Sequence, residues 1–86
     1  MSDDWQVYVL KSLRNGRLYT GSTNDLARRI REHADGQSRY TRNAGPFELV
    51  HHEQLPDRLS ARRRELFLKT GRGRDELKRI LASVGG

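Results

Sequence analysis

A short apolar run rich in β-branched residues opens the chain over residues 5–10 and predicts a first strand. Asn15-Gly16 follows it, a dipeptide typical of a two-residue hairpin turn because both turn positions favour positive φ. The chain then returns as a second strand over residues 17–21, and Pro46 precedes a third strand over residues 47–53. These alternations predict a small sheet in which at least one hairpin is antiparallel.

The spacing of apolar residues after the hairpin predicts a helix with a stripe at Leu26, Ile30 and Ala34. One of residues 23–25 can cap its first turn, and Gly36 is expected to end it. Residues 37–45 are polar and basic and are expected to form a loop.

Two further helices are predicted in the second half of the chain. Pro56-Asp57 opens one that runs to about residue 69, and Gly71-Arg-Gly73 is expected to break it from the next. The last helix has apolar residues at i, i+3, i+4 and i+7, namely Leu77, Ile80, Leu81 and Val84. The order β-β-α-β-α-α predicts an α+β fold, a small, mostly antiparallel three-stranded sheet flanked by helices.

The length of 86 residues predicts one domain over residues 1–86, with its core between about residues 5 and 80. The chain has no cysteine, so neither a disulfide nor a thiolate metal cage can stabilise it. It also lacks an export-signal pattern at its start and an apolar stretch long enough to span a bilayer. We therefore expect a cytoplasmic protein without a membrane partner.

The charge balance indicates the chemistry of the partner. Seventeen Lys and Arg against eleven Asp and Glu give a net charge of +6, and arginine dominates. The planar guanidinium matches phosphate oxygens, so a polyanion, most simply nucleic acid, is the expected partner. The alternative is a basic but merely solvated surface.

Two tyrosines in the hairpin are candidate site residues. A two-residue turn would pair Tyr8 with Thr23 and Ser12 with Tyr19, so both tyrosines face one side of the sheet. Their offset of four residues is roughly 13 Å along the strand. They are either two core tyrosines with satisfied hydroxyls, or members of one site whose rings lean together or whose register is shifted by a bulge.

The first helix places a cation and a histidine beside its apolar stripe. With Leu26 at 0°, His33 lies at about 340° and Arg29 at about 300°. A half-buried charge is costly unless it has a partner, so both residues are expected to be paired. The alternatives are a satisfied core histidine and an arginine whose stem covers apolar surface while its head stays in water.

The second helix carries one carboxylate on its inner face. Glu65 shares that face with Ala61 and Leu68, at about 100° per residue. It is either an ion-pair partner of Lys69 or of the arginines at positions 62 and 64, or an anchor for Mg²⁺.

These residues together resemble the GIY-YIG nuclease superfamily. The resemblance rests on Tyr8 in Gln6-Val7-Tyr8 and Tyr19 in Tyr19-Thr20-Gly21, and then on Arg29, His33 and Glu65 in order and at the family's spacing. It covers nearly the whole chain and is closest to the small standalone bacterial members that consist of the catalytic domain alone. The run over residues 38–42 is also similar to that subgroup. The late asparagine of many family nucleases is absent, since none follows residue 43.

The resemblance implies a metal-dependent endonuclease with little sequence specificity, and it favours DNA over RNA as the substrate. It implies that Glu65 holds one Mg²⁺ or Mn²⁺, and that Arg29 adds a second positive charge at the scissile phosphate. Water would lose its proton to Tyr8 or Tyr19, or to His33 acting as base or relay, and the choice among them stays open here.

Substrate contacts are expected from the basic residues around these groups and from one glycine at a close approach. They are Lys11, Arg14, Arg17, Gly21, Arg39, Tyr40, Arg42, Lys69, Arg72 and Arg74. Tyr40 is expected to stack on a base. We expect a monomer or a weak dimer.

Two alternatives to the nuclease remain at this point. One is a catalytically weak or inactive DNA-binding module of the same fold, favoured by the absent asparagine. The other is an interaction protein whose basic face docks an acidic or nucleoprotein partner.

Overall fold

The fold of the chain is known from a computed structural model that describes residues 4–34 and 45–84. Three strands and three helices follow one another as β1 (Trp5–Ser12), β2 (Leu18–Thr23), α1 (Leu26–Ala34), β3 (Phe47–Leu55), α2 (Arg58–Leu68) and α3 (Gly71–Val84). The predicted order and the α+β class are confirmed. Gly36, Arg39, Tyr40 and Arg42 lie outside the described residues, so the predictions made for them stay predictions.

The sheet is antiparallel with β1 in its centre and strand order β2-β1-β3. Residues 7–10 of β1 are buried on both faces, as expected for the only strand with two neighbours among the three. Val7 and Val9 face α2 and α3 and form the core with Ala61, Leu68 and Leu77. β2 is therefore an edge strand, with one side of its backbone free of sheet partners.

The predicted hairpin register is wrong by two residues. Tyr8 pairs with Gly21 and Leu10 with Tyr19, because the turn contains four residues rather than two. The buried Ser12 side chain stabilises the wider turn, since its hydroxyl accepts the backbone N–H of residues 14 and 15 at 3.1 Å. Among the described residues only Gly16 has a positive φ, 74°, so the two-position turn that Asn15-Gly16 favours does not form.

The α1 helix begins with the capping predicted for it, but the residues buried on its inner face differ from the prediction. Asp25 accepts the N–H of Arg28, which caps the first turn. Ala34 is exposed and the apolar residues of the stripe are only half-buried, whereas His33 is the buried residue of this helix. The reason is that α1 covers the polar tip of Tyr8 and the ring of Phe47, to which a histidine is a better match than an alanine.

The break between the last two helices lies at residues 69–70, two residues earlier than predicted. Asp57 caps α2 as expected, through its side chain and the N–H of Ser60. Gly71 and Gly73 belong to the first turn of α3 rather than to a linker. A Cβ at Gly73 would overlap the backbone of α2 at residues 67 and 68, whereas one at Gly71 would meet nothing within 4 Å.

This contrast gives a matched pair of substitutions. Gly73→Ala forces the start of α3 away from the end of α2, and we expect it to lower the free energy of unfolding by about 1–3 kcal/mol. Gly71→Ala replaces a helical glycine in open space, so we expect no loss and a gain of up to about 1 kcal/mol. Urea unfolding followed by circular dichroism measures both. Equal effects of the two substitutions would contradict the close packing at Gly73.

Candidate active site

The first half of the site is a hydrogen-bonded cluster between β1 and α1. The Tyr8 hydroxyl accepts from Nε of Arg29 at 3.2 Å and lies 3.0 Å from Nε2 of His33, to which it donates when the neutral imidazole carries its proton on Nδ1. Tyr8 and His33 are 3% and 5% exposed. Arg29 also pairs with Glu32 at 3.2 Å. The partners expected for Arg29 and His33 are therefore present, and Tyr8 is a partner of both.

Burial sets the protonation states in this cluster. It lowers the pKa of His33 below its ordinary 6.5, and the neighbouring charge of Arg29 lowers it further, so the ring is neutral at neutral pH. Burial also raises the pKa of Tyr8 above 10 and outweighs the opposing hydrogen bond from Arg29. Arg29 thus does not make Tyr8 a free phenolate. Instead, the neutral imidazole is placed to accept the proton of Tyr8.

Gly21 explains why the Tyr8 ring can reach α1. A Cβ at this position would overlap the Tyr8 hydroxyl and approach Cζ to 2.6 Å, so only glycine leaves room for the phenol. We expected a close approach at Gly21, by a substrate backbone or by a helix end. In this structure the group that approaches is Tyr8.

Tyr19 reaches the cluster through an aromatic contact rather than a hydrogen bond. The corrected register places it two residues from Tyr8 along the sheet, roughly 7 Å rather than 13 Å. Its ring contacts Phe47 edge to face with centroids 5.7 Å apart, and Phe47 contacts His33 at 6.0 Å. Tyr19 is half-buried, so its position supports the packing of His33 while part of its ring remains accessible.

The second half of the site is Glu65 of α2. Its carboxylate is 5% exposed and lies, as predicted, on the same face as Ala61 and Leu68. Oε1 accepts from the Ser22 hydroxyl at 2.7 Å, and Oε2 accepts from Lys69 at 2.8 Å and Arg62 at 3.1 Å. The ion pairs expected with Lys69 and Arg62 are therefore present, and the role of Glu65 as an anchor for Mg²⁺ stays a prediction.

The electrostatics of Glu65 keep it ionised. Burial raises the pKa of this carboxyl, but the hydrogen bonds from Lys69 and Ser22 outweigh burial and hold the pKa below its ordinary value. The arginine at position 64, the third expected partner, is not one. It instead joins β3 to α3 through Glu53 and Glu76, each at 2.8 Å.

The two halves meet at neighbouring residues of β2. Tyr8 lies over Gly21 on the α1 side of the sheet, and Glu65 bonds to Ser22 on the α2 side. The charge of Glu65 raises the pKa of Tyr8 and that of Lys69 lowers it, so the halves are within electrostatic reach. Residues from four elements thus converge on the edge strand of the sheet.

A single buried, ionised carboxylate is the donor that this site offers to a metal. No cluster of three or more His, Cys, Asp or Glu occurs in residues 4–34 and 45–84. Mg²⁺ commonly takes one or two carboxylates and completes its shell with water and phosphate oxygens, so Glu65 fits that ion. Lys69 and Arg62 would have to move away from Oε2, and their side chains are 41% and 58% exposed.

The predicted substrate-binding residues are not all brought together. Arg17 and Lys69 line one groove of about 720 Å³ beside β2, together with Arg74 and Lys78. Arg72 lies in a different depression between α2 and α3, which it lines together with Arg79 and two carboxylates, Asp75 and Glu76. Lys11 and Arg14 are exposed at the hairpin end of the sheet.

Ser22 and Phe47 are site residues that the sequence analysis missed. Ser22 was placed outside β2 because the strand was ended at Gly21, and the shorter turn gave it the wrong partner. The observed register pairs Ser22 with Val7 rather than with Val9, but both valines face α2, so continuing the predicted strand by one residue would have assigned Ser22 to that face. Phe47 contacts His33 across the gap between β3 and α1, and no local sequence signal predicts that contact.

The fold and this arrangement of residues define the class of the protein. The family model of the GIY-YIG catalytic domain matches residues 4–78, so the chain belongs to the GIY-YIG family. This places it in the GIY-YIG nuclease superfamily.

Its relatives are UPF0213 proteins. One from Natronomonas pharaonis is 39% identical over an alignment of 87 positions that covers all of both chains. One from Xanthomonas axonopodis pv. citri is 46% identical over 66 residues, which cover 76% of this chain and 64% of that protein's length. The solution NMR structure of a UPF0213 protein from Bacillus halodurans has 38% identity and a TM-score of 0.56, and the match covers 90% of this chain and 84% of that one. Among the residues described here, no helix combines the length and apolarity needed to cross a membrane.

Proposed function

We propose that this protein is a divalent-metal-dependent endonuclease that hydrolyses phosphodiester bonds of nucleic acid, DNA in the first place. The observation that carries the proposal is the convergence of the Tyr8 cluster and Glu65 on Gly21 and Ser22 of β2. One half offers a proton relay and a fixed positive charge, and the other offers a buried carboxylate ligand.

Tyr8 is the group we assign to water activation. Its oxygen accepts a proton from water as its own proton passes to Nε2 of His33, which is neutral and 3.0 Å away. Such a concerted transfer never requires free phenolate, which is consistent with the raised pKa of Tyr8. The proton received by His33 is later returned through Tyr8 or lost to solvent.

Arg29 is the second charged participant. It is half-buried, stays protonated at neutral pH, and is held in place by Tyr8 and Glu32. A preorganised cation of this kind stabilises the negative charge that grows on the phosphoryl oxygens. Glu65 would hold the Mg²⁺ or Mn²⁺, and such an ion neutralises charge on the phosphate and the leaving oxygen.

The direct test is incubation of purified protein with supercoiled plasmid at low salt, with Mn²⁺, Mg²⁺ or EDTA. We expect metal-dependent nicking, and a loss of about 10²–10³-fold in rate for Arg29→Ala because a fixed transition-state charge is removed. Arg28→Ala is the matched control, since its exposed side chain belongs to the same helix and its substitution changes the charge equally. Equal rates with metal and with EDTA would contradict the proposal.

One observation favours the second candidate, a DNA-binding module that does not cut. Both oxygens of Glu65 already accept hydrogen bonds, from Ser22 on one side and from Lys69 and Arg62 on the other. If the metal never displaces these cations, the residues serve only to stabilise the fold. Salt-sensitive binding of plasmid without nicking, unchanged in Arg29→Ala, would decide for that module.

A further inference from the structure

The groove beside β2 carries features that the proposed chemistry does not use. Its basic residues are Arg17 at the start of β2, Lys69 at the end of α2, and Arg74 and Lys78 on α3. Cations therefore stand on both walls, and none of the described residues that line the groove is acidic. An anionic chain lying in the groove would contact the cations on both of its sides at once.

The groove continues into the candidate active site. Lys69 is one of its lining residues and also donates to Oε2 of Glu65 at 2.8 Å. The residues of β2 that line the groove, 18–20, precede Gly21 and Ser22 directly. A polymer that follows the groove along β2 is thereby delivered to the carboxylate of Glu65.

The size of the groove distinguishes between one strand and two. A volume of about 720 Å³ is in the range of pockets that enclose a molecule of roughly drug size. That range admits a few nucleotides of a single strand. A duplex, whose major groove alone is about 12 Å wide, is much larger than such a volume, so we expect it to contact only the outer rim.

The free edge of β2 adds a second kind of contact. As an edge strand it presents backbone N–H and C=O groups that have no sheet partner on that side among residues 4–34 and 45–84. Unpaired bases carry exposed donors and acceptors, whereas a duplex has already paired them. An added peptide strand would use the same backbone groups, but four lining cations favour a polyanion over an ordinary peptide.

We propose that the groove between β2 and α3 binds a single strand of nucleic acid and leads it to the active site, so that single-stranded segments are the preferred substrate. The inference rests on the proposed function for the choice of polymer. The groove is expected to recognise the phosphodiester backbone, which DNA and RNA share.

The test measures binding alone, in EDTA, by fluorescence anisotropy with a labelled 12-nucleotide single strand of DNA, its RNA counterpart, and the blunt DNA duplex of the same sequence. We expect the single strands to bind about tenfold or more tightly than the duplex, a difference of about 1.4 kcal/mol. A duplex that binds as tightly as the single strands would overturn the inference. The binding assay contains EDTA, so it does not depend on cleavage. If the protein binds single strands here but does not nick plasmid with metal, the binding groove is supported and only the nuclease proposal is contradicted.

Substitutions locate the binding on the molecule. The first variant is the double substitution Arg74→Gln with Lys78→Gln. It removes two phosphate contacts, at about 0.7 each, so we expect the slope of log affinity against log salt to fall by about 1.4. Single-strand affinity at 0.1 M salt is then expected to fall about 25-fold. Arg63→Gln with Arg79→Gln is the matched control, since these exposed cations lie at about 200° from the core residues of α2 and α3. An equal loss in both pairs would show that the groove is not the site. If both double variants kept the affinity of the unchanged protein, and that affinity did not depend on salt, the groove would also be excluded as the binding site.

Discussion

Tyr8→Phe is expected to lower the rate of metal-dependent cleavage by about 10²–10⁴-fold, the usual contribution of a positioned acid–base group. The variant keeps the ring over Gly21 and removes only the hydroxyl that links Arg29 to His33. Tyr19→Phe is the matched comparison, because its ring packs on Phe47 through carbon atoms that the substitution preserves. We expect a much smaller loss there, and the reverse order would assign water activation to Tyr19.

The pH profile checks the same assignment independently. His33 accepts the Tyr8 proton only when the imidazole is neutral, and burial lowers its pKa below 6.5. Activity should therefore be fully present above that lowered pKa and be lost as pH falls through it, so the acid limb lies below 6.5. An acid limb at or above 6.5 would contradict a buried, neutral relay. Steady-state rates between pH 4.5 and 8 measure the limb.

Tyr8→Phe also has a structural cost that the experiment must separate from chemistry. Removing the hydroxyl leaves Nε2 of His33 and Nε of Arg29 without this partner, at about 1–3 kcal/mol. Circular dichroism at the assay temperature establishes whether the variant is folded. A folded variant with normal single-strand binding and lost cleavage places the effect on the chemical step.

The sequence predicted the parts of this site that depend on local periodicity. A period of 3.6 residues placed Glu65 on the face of Ala61 and Leu68, and it placed Arg29 and His33 beside the stripe of α1. These placements need only the helix to exist. The residue order and the strand alternation likewise gave the fold class, because each element is long enough to show its pattern.

The parts that failed depend on contacts between distant residues. The hairpin register was decided by a buried serine hydroxyl that bonds two backbone N–H groups, against the preference of Asn15-Gly16 for a shorter turn. The inner face of α1 was decided by Tyr8, a residue of another element. Gly73 looked like a helix breaker, yet it is required where two helix backbones approach each other. In each case tertiary packing outweighed a local propensity.

The corrected register has a consequence for function. With the predicted two-residue turn, Tyr8 would lie opposite Thr23, whose side chain would occupy the space that the phenol needs. The four-residue turn brings Gly21 opposite Tyr8 and Ser22 opposite Val7. The same shift therefore makes room for the phenol on one face of β2 and gives Glu65 a hydroxyl partner on the other. Ser12, far from the chemistry, positions both halves of the site.

Substitutions at Glu65 and at Lys69 are expected to move metal affinity in opposite directions. Glu65→Gln removes the charge that holds the ion, so we expect Mn²⁺ binding to be lost and cleavage to fall on the order of a thousandfold, since the ion contributes several kcal/mol to the transition state. Lys69→Met removes the nearer of the two cations that contact Oε2, at 2.8 Å, and leaves Arg62 at 3.1 Å. Mn²⁺ then no longer competes with a partly exposed ion pair of up to about 1 kcal/mol, so we expect it to bind about fivefold more tightly in the absence of nucleic acid.

Titration of free Mn²⁺ by electron paramagnetic resonance measures both changes without any cleavage. Lys78→Met is the matched control, because it removes the same charge from the same groove but is not an ion-pair partner of Glu65. If Mn²⁺ affinity rose equally in the two lysine variants, the cause would be the change in net charge. The ion pair between Lys69 and Glu65 would then not compete with the metal. A gain confined to Lys69→Met means that a phosphate drawn to Lys69 in the groove also frees Glu65 for the ion. Substrate and metal would then each strengthen the binding of the other, since coupling between two sites is reciprocal.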